Sequence, residues 1–214
     1  MDLGMLARTQ RVWLSDTNDA LDRQRIQRSA SLFLAPELMG THIGPFRSHT
    51  TGRRHDLAFR AATAMFGHLG TELDLLSLSD QERSRLAEAI ELHKRFRNLL
   101  HHGDTVRFDH PDPTLLAHGV YAPDRSEALV CIARIASGAS LVTAPLQLPD
   151  LAPDVSYRIA VVPTHAGDTP HGPAIRQPRW ATHGARARGA TLASVGLQPP
   201  VLWPEQAVLV HLTC

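Results

Sequence analysis

The sequence predicts an α/β half followed by an all-β half, with the change of character near residue 104. Two observations predict it. Before residue 104, short apolar runs alternate with helical patterns that open on Asp or Ser. After it, apolar runs of strand length are separated by turns containing Pro and Gly. The chain has 214 residues, 43% hydrophobic and 20% charged, enough for one large domain or two small ones.

Residues 11–14 read as a short buried strand. Asp16, Thr17 and Asn18 supply N-cap candidates for a helix over residues 20–27. Residues 38–44 form a second strand-like piece, ended by Pro45, and residues 56–67 read as a helix rich in Ala, Leu, Phe and Met. Residues 73–78 are the third strand candidate. Ser79-Asp80-Gln81-Glu82 is a capping box. It opens the clearest helix, with Leu86, Ile90, Phe96 and Leu100 on one face and Gly103 as its stop. Three strand–helix units point to a parallel sheet. They cannot close a (β/α)8 barrel, which takes eight strands and about 250 residues. A small open sheet and the tail end of a larger barrel both stay open.

In the second half, strands are expected at residues 115–121, 127–135, 140–148, 156–162 and 206–212, with turns at Pro123-Asp124 and Pro149-Asp150. The pattern suggests an antiparallel β-sandwich of modest size. Residues 163–189, rich in Pro, His, Gly and Arg, read as an irregular excursion.

Composition excludes several classes of function. A formal charge of +1 from 22 basic and 21 acidic residues gives no field to attract nucleic acid or a membrane surface. Residues 1–7 show no secretory leader pattern, and no apolar run approaches the roughly 18 residues of a membrane span. Cys131 reads as a buried small residue and Cys214 as a tail thiol, which fits a reducing cytoplasm. The 13 histidines include no His-Glu-x-x-His and no cysteine pair at zinc-like spacing, so neither metal nor cofactor is expected.

The stretch that carries chemistry is residues 13–23. Trp13 stands three residues before Asp16, which follows a strand and precedes a helix, and Asp19 comes three residues later. A carboxylate at a strand end beside a ring able to stack on a sugar is equipment for glycoside chemistry. That chemistry takes two carboxylates on opposite sides of a bond. Asp16 and Asp19 would share one wall, so they cannot be the pair. Asp19 and Asp22 read as capping or solvated residues and Asp16 as the functional one. Trp13 suits a sugar platform or the core, His42 a site rim or the core, and both alternatives stay open. Arg23 and Arg53 are most simply surface or ion-pair residues.

The stretch Val12-Trp13-Leu14-Ser15-Asp16-Thr17-Asn18-Asp19-Ala20 resembles the Trp-Thr-Ser-Asp-Asn-Thr-Asp-Ala signature of glycoside hydrolase family 36 α-galactosidases. The resemblance continues through Arg23 and Ile26-Gln27, Met39-Gly40-Thr41-His42-Ile43, His49-x-Thr51-Gly52-Arg53 and Phe66-Gly67-x-Leu69-Gly70-x-Glu72-Leu73-Asp74. It reaches the tail at Val195-Gly196-Leu197 and Gln206-Ala207-Val208-Leu209. Leu14 stands where the family has Thr, and Thr17-Asn18 inverts the usual order.

This resemblance implies a retaining exo-glycosidase that releases terminal α-linked galactose from α-galactoside oligosaccharides. It implies a partial (β/α)8 (TIM) barrel over residues 1–104 with a C-terminal antiparallel β-sandwich over residues 105–214. It assigns Asp16 as the acid/base; Trp13 and His42 are the candidate substrate-binding residues beside it. The family's nucleophile lies in a Lys-Trp-Asp motif, which does not occur in residues 1–214. The chain is therefore expected to be a C-terminal portion, inactive alone and inclined to associate with an N-terminal part or with itself. The competing reading is a non-catalytic carbohydrate-binding or interaction module built on residues 105–214. An aromatic content of 5% argues against it.

Overall fold

The computed structural model describes residues 3–164 and 177–214. After a short helix α1 (Leu3–Leu6), three parallel strands β1 (Val12–Trp13), β2 (Met39–Ile43) and β3 (His68–Thr71) form one sheet in the order β1-β2-β3. Helices α2 (Ala20–Ala30), α3 (Leu57–Ala64) and α4 (Asp80–His102) follow the strands in turn. Each starts on a side chain that satisfies otherwise unpaired N–H groups. Asp19 accepts from Leu21 at 2.9 Å and Asp22 at 3.2 Å, so the cap of α2 is one residue past the three candidates. Asp56 accepts from the Phe59 N–H at 2.7 Å. Ser79 and Glu82 form the expected capping box, and the Gly103 N–H closes α4 on the Leu99 carbonyl at 2.9 Å. Along α4, Leu86, Ala89, His93, Phe96 and Leu100 recur at helical spacing and are buried.

The third strand lies at residues 68–71 rather than 73–78. Only three residues separate α3 from β3, and Gly67 makes this possible. A Cβ there would sit 2.4 Å from Thr41 Cγ2, so only glycine allows the close approach to β2. The leucines of residues 73–78 instead surround a 3-10 turn (Leu75–Ser77) capped by Asp74, and Leu76 is exposed.

Pleating divides the parallel sheet into two faces. Met39, Thr41 and Ile43 face the helices: Thr41 donates to the Ala64 carbonyl at 2.7 Å, and Ile43 packs with Ala61, Ala64, Leu86 and Ala89. Trp13, Gly40, His42, His68 and Gly70 occupy the opposite face, in register across the three strands.

The second half is a six-stranded antiparallel sheet in the order β4-β5-β6-β9-β7-β8. Its strands are β4 (Asp104–Phe108), β5 (Leu115–Tyr121), β6 (Glu127–Arg134), β7 (Ser156–Val162), β8 (Ala185–Arg188) and β9 (Gln206–Thr213). One face packs on the helices of the first half: Val120, Leu129, Cys131 and Leu209 meet Leu21, Phe59, Met65 and Phe96. The other is covered by Leu146, Leu148, Leu151, Trp180, Leu192 and Leu202.

The expected sandwich of two sheets is thus replaced, among the described residues, by one sheet under a layer of loops and short helices. Residues 140–148 make no strand, only an isolated bridge between Leu146 and Leu197. Pro145 and Pro149 flank the leucines and remove ladder donors, so the run covers the sheet instead of extending it. Of the expected excursion, residues 165–176 lie outside the described residues. Residues 179–188 are regular: α5 (Arg179–His183) turns through Gly184 at φ 70° into the edge strand β8, followed by α6 (Gly189–Ser194). No helix among the described residues is long and apolar enough to cross a membrane. No group of three or more His, Cys, Asp or Glu among them is arranged to hold a metal ion.

Candidate active site

The C-terminal ends of parallel strands gather on one edge of a sheet, where loops are free to vary without disturbing the core. Here that edge receives the bend at Ser15–Asp16–Thr17 after β1, the loop over residues 44–54 after β2, and Glu72 after β3. Asp16 sits exposed in its bend.

Asp19 has a different environment. It is fully buried and accepts from the Leu21 and Asp22 N–H groups, from the Thr51 hydroxyl, and from Arg53 Nη1 at 3.1 Å. Burial alone would raise its pKa. The hydrogen bonds from Thr51 and Asp22 and the charge of Arg53 outweigh that and hold the carboxyl below its ordinary value. Asp19 is an ionised cap that organises the loop, as the capping reading anticipated. Arg53 also reaches Asp22 at 2.9 Å, which makes it the ion-pair residue expected. The β2 loop curls around this carboxylate through Gly52, at φ 74°. Ser48 donates to Asn18 Oδ1 at 3.1 Å, and the Thr17 and Thr50 hydroxyls lie 2.9 Å apart, so the two loops form one bonded unit.

Arg23 differs from expectation: it is buried, with 3% of its surface exposed. Its Nε donates to the Thr17 carbonyl at 2.6 Å and its Nη2 to the Ser15 carbonyl at 2.6 Å. The two carbonyls flank Asp16. The guanidinium carbon lies 4.3 Å from the centroid of Trp13, and the His42 ring lies 4.4 Å from the same indole. Burial lowers the pKa of Arg23 against the opposing pull of the Glu72 and Asp16 charges. His42 Nδ1 approaches Glu72 Oε2 at 3.4 Å.

Glycines seat both rings. A Cβ on Gly40 would stand 3.1 Å from the Trp13 ring, and one on Gly70 would stand 2.8 Å from His42. Trp13 keeps 39% of its surface exposed although two partners lie on its ring.

The structure therefore brings Trp13 and His42 together, links both to the Asp16 bend through Arg23, and adds Glu72. Sequence reasoning missed Arg23 and Glu72. A signal for Arg23 existed: helical side chains lean toward the N-terminus, so a residue four after the cap covers the preceding loop. Chemically, the site presents one exposed carboxylate beside a stack of aromatic and cationic groups, while its neighbour Asp19 is locked in a structural task. The second half offers no aromatic platform. Of its five aromatic residues, Phe108, Tyr121, Tyr157 and Trp180 are buried and Trp203 alone is exposed.

Residues 1–103 match the family model described as Melibiase, and residues 116–212 match that of the glycosyl hydrolase family 36 C-terminal domain. The chain is 41% identical to an α-galactosidase of Escherichia coli, over 99% of this chain and 30% of that relative. It is 34% identical to the bifunctional α-galactosidase/sucrose kinase AgaSK of Mediterraneibacter gnavus, over 73% of this chain and 17% of that protein. Among solved structures, the α-galactosidase AgaA from Geobacillus stearothermophilus superposes with a TM-score of 0.82 at 27% identity, over 99% of this chain and 27% of that one. Variants of AgaA have been solved in complex with raffinose and with stachyose. The chain spans less than a third of the length of these relatives.

Proposed function

This chain belongs to glycoside hydrolase family 36, of which it carries the C-terminal portion, and from that premise we propose that it supplies the acid/base half of a retaining α-galactosidase site. The observation that carries the reading is Asp16, exposed on the bend that ends a parallel strand, within a chain 41% identical to an α-galactosidase over nearly its full length. Asp16 gives its proton to the glycosidic oxygen as the bond to the anomeric carbon breaks and a second carboxylate attacks that carbon. In the second step it takes a proton from the water that displaces the carboxylate, and the configuration is retained. The second carboxylate belongs to a segment outside residues 1–214, which contain no Lys-Trp-Asp motif.

Trp13 and His42 border the galactose, the indole offering its open surface to the sugar. The substrates are α-galactoside oligosaccharides of the raffinose and stachyose type. Residues 1–104 make the last units of a (β/α)8 barrel and residues 105–214 a C-terminal β-domain. The change of family model between residues 103 and 116 supports that division. The open edges of β1 and β3 then pair with strands of an N-terminal part.

The test joins residues 1–214 in frame behind the N-terminal portion of the Escherichia coli relative, in place of its own matching segment. The hybrid hydrolyses an aryl α-galactoside, and Asp16→Asn lowers kcat/KM for an unactivated galactoside by about 10²-fold or more. Full activity of the Asp16→Asn hybrid would overturn the assignment of the acid/base. Turnover by residues 1–214 alone, sensitive to the same substitution, would overturn the half-site.

A further inference from the structure

We infer that Arg23 is a positioning residue for the Asp16 proton donor, acting through a two-pronged clamp on the backbone that carries the carboxylate. The inference rests on Asp16 being that donor. A guanidinium is a rigid fork, and here its Nε and Nη2 engage Thr17 O and Ser15 O, both at 2.6 Å. These are the carbonyls of the residues before and after Asp16, so the Ser15–Asp16 and Thr17–Asn18 peptide planes that bracket the bend are both held from one rigid group.

The fork is itself held. Arg23 starts one turn into α2, whose first turn is anchored by buried Asp19, and its plane is braced by the Trp13 ring. The charges of Asp16 and Glu72 act on it from the site edge. Burying a guanidinium is costly unless its donors are used. Yet Nη1 is buried without a hydrogen-bond partner among the described residues. A side chain retained at that cost, with its two engaged nitrogens on the bend of the acid, is placed for geometry. Misplacing a catalytic group by about 1 Å is enough to cost on the order of 10²-fold in rate.

A positioning role for a general acid has a signature that general loss of structure lacks. Departure of a poor leaving group needs the proton, whereas fluoride leaves with far less need of it. In the hybrid enzyme, Arg23→Lys and Arg23→Gln are compared with Asp16→Asn on an alkyl α-galactoside and on α-galactosyl fluoride. The Arg23 variants are expected to lose roughly 10- to 100-fold in kcat/KM, which reports the first step, on the alkyl galactoside and less than about 3-fold in kcat/KM on the fluoride. An equal loss of kcat/KM on both substrates, or none on either, overturns the inference. If Asp16→Asn itself lacks this dependence on the leaving group, the proposed function falls. If Asp16→Asn shows it and the Arg23 variants do not, only the role of Arg23 falls. Amide exchange in residues 1–214 supplies a second reading. Arg23→Lys is expected to speed exchange at residues 15–18 by about tenfold or more while α4 is unaffected, and unchanged exchange at the bend overturns the clamp.

Discussion

Asp16 and Asp19 stand three residues apart, and their replacements should have very unequal consequences for stability. Asp19→Ala removes a fully buried carboxylate that accepts from Leu21 at 2.9 Å, Asp22 at 3.2 Å, Thr51, and Arg53 at 3.1 Å. Loss of the N-cap costs about 1 kcal/mol. The charge-assisted bonds add about 1–2 kcal/mol. That addition is kept low because Thr51 is exposed and the Arg53 side chain is 42% exposed, so both recover water. A total of about 2–3 kcal/mol corresponds to a Tm lower by about 4–12 °C for a chain of this length.

Asp19→Asn keeps a capping oxygen and should cost about half as much, whereas Asp16→Asn on the exposed bend should stay within about 0.5 kcal/mol. The assay is thermal and urea unfolding of residues 1–214 at pH 7, followed by circular dichroism. Because the Asp19 carboxyl titrates below its ordinary 3.8 when folded, its contribution is complete above that value. It is lost as pH falls through the folded pKa, so Asp19→Ala should also flatten the acid limb of the stability profile. Equal destabilisation by Asp16→Asn and Asp19→Ala, or a silent Asp19→Ala, would refute the division of labour between the two carboxylates.

Other consequences are as direct. His93, buried against the Met65 carbonyl and near His101, Arg97 and His68, has its pKa pushed from 6.5 down to about 4, chiefly by burial. The unfolded chain therefore takes up a proton that the folded one refuses. Stability present above pH 6.5 should decline by about 3 kcal/mol as pH falls to 4, and His93→Gln should remove that slope from the pH profile of unfolding. Gly67→Ala forces a Cβ to 2.4 Å from Thr41 Cγ2 and 2.7 Å from the Met39 carbonyl. It should cost at least about 1–3 kcal/mol in the same unfolding assay, where a neutral result would contradict the packing of β3 on β2. Burial raises the Cys131 thiol to about 12, and Cys214 is exposed, so alkylation of the native chain followed by peptide mapping should label Cys214 first.

Features set by neighbours in sequence were legible before the structure. The Ser79 capping box, the Gly103 stop and the strands at residues 115–121 and 156–162 each depend on local pattern and local caps. The strand at residues 68–71 was not, because His68-Leu69-Gly70-Thr71 carries little apolar signal and owes its strand state to Gly67 and to pairing with β2. The leucines of residues 73–78 advertised a strand for the opposite reason: they are apolar, but no strand among the described residues pairs with them. At the site, Asp19 as a cap could be read from its place before a helix. Arg23 reads in sequence as a surface or ion-pair residue because its burial is created by Trp13 and the Asp16 bend, contacts that emerge only when the helix folds back over the loop.

Azide rescue in the hybrid enzyme separates an acid/base role of Asp16 from every other role it could play in a retaining site. An Asp16→Gly hybrid given an activated aryl α-galactoside can form the glycosyl–enzyme intermediate without a proton donor, but it lacks the base that activates water. Azide needs no base and attacks the intermediate from the vacated side. Azide is therefore expected to accelerate turnover and to give α-galactosyl azide, with retained configuration. Rescue giving the β-azide would make Asp16 the nucleophile, and no rescue with activity already intact would remove it from catalysis.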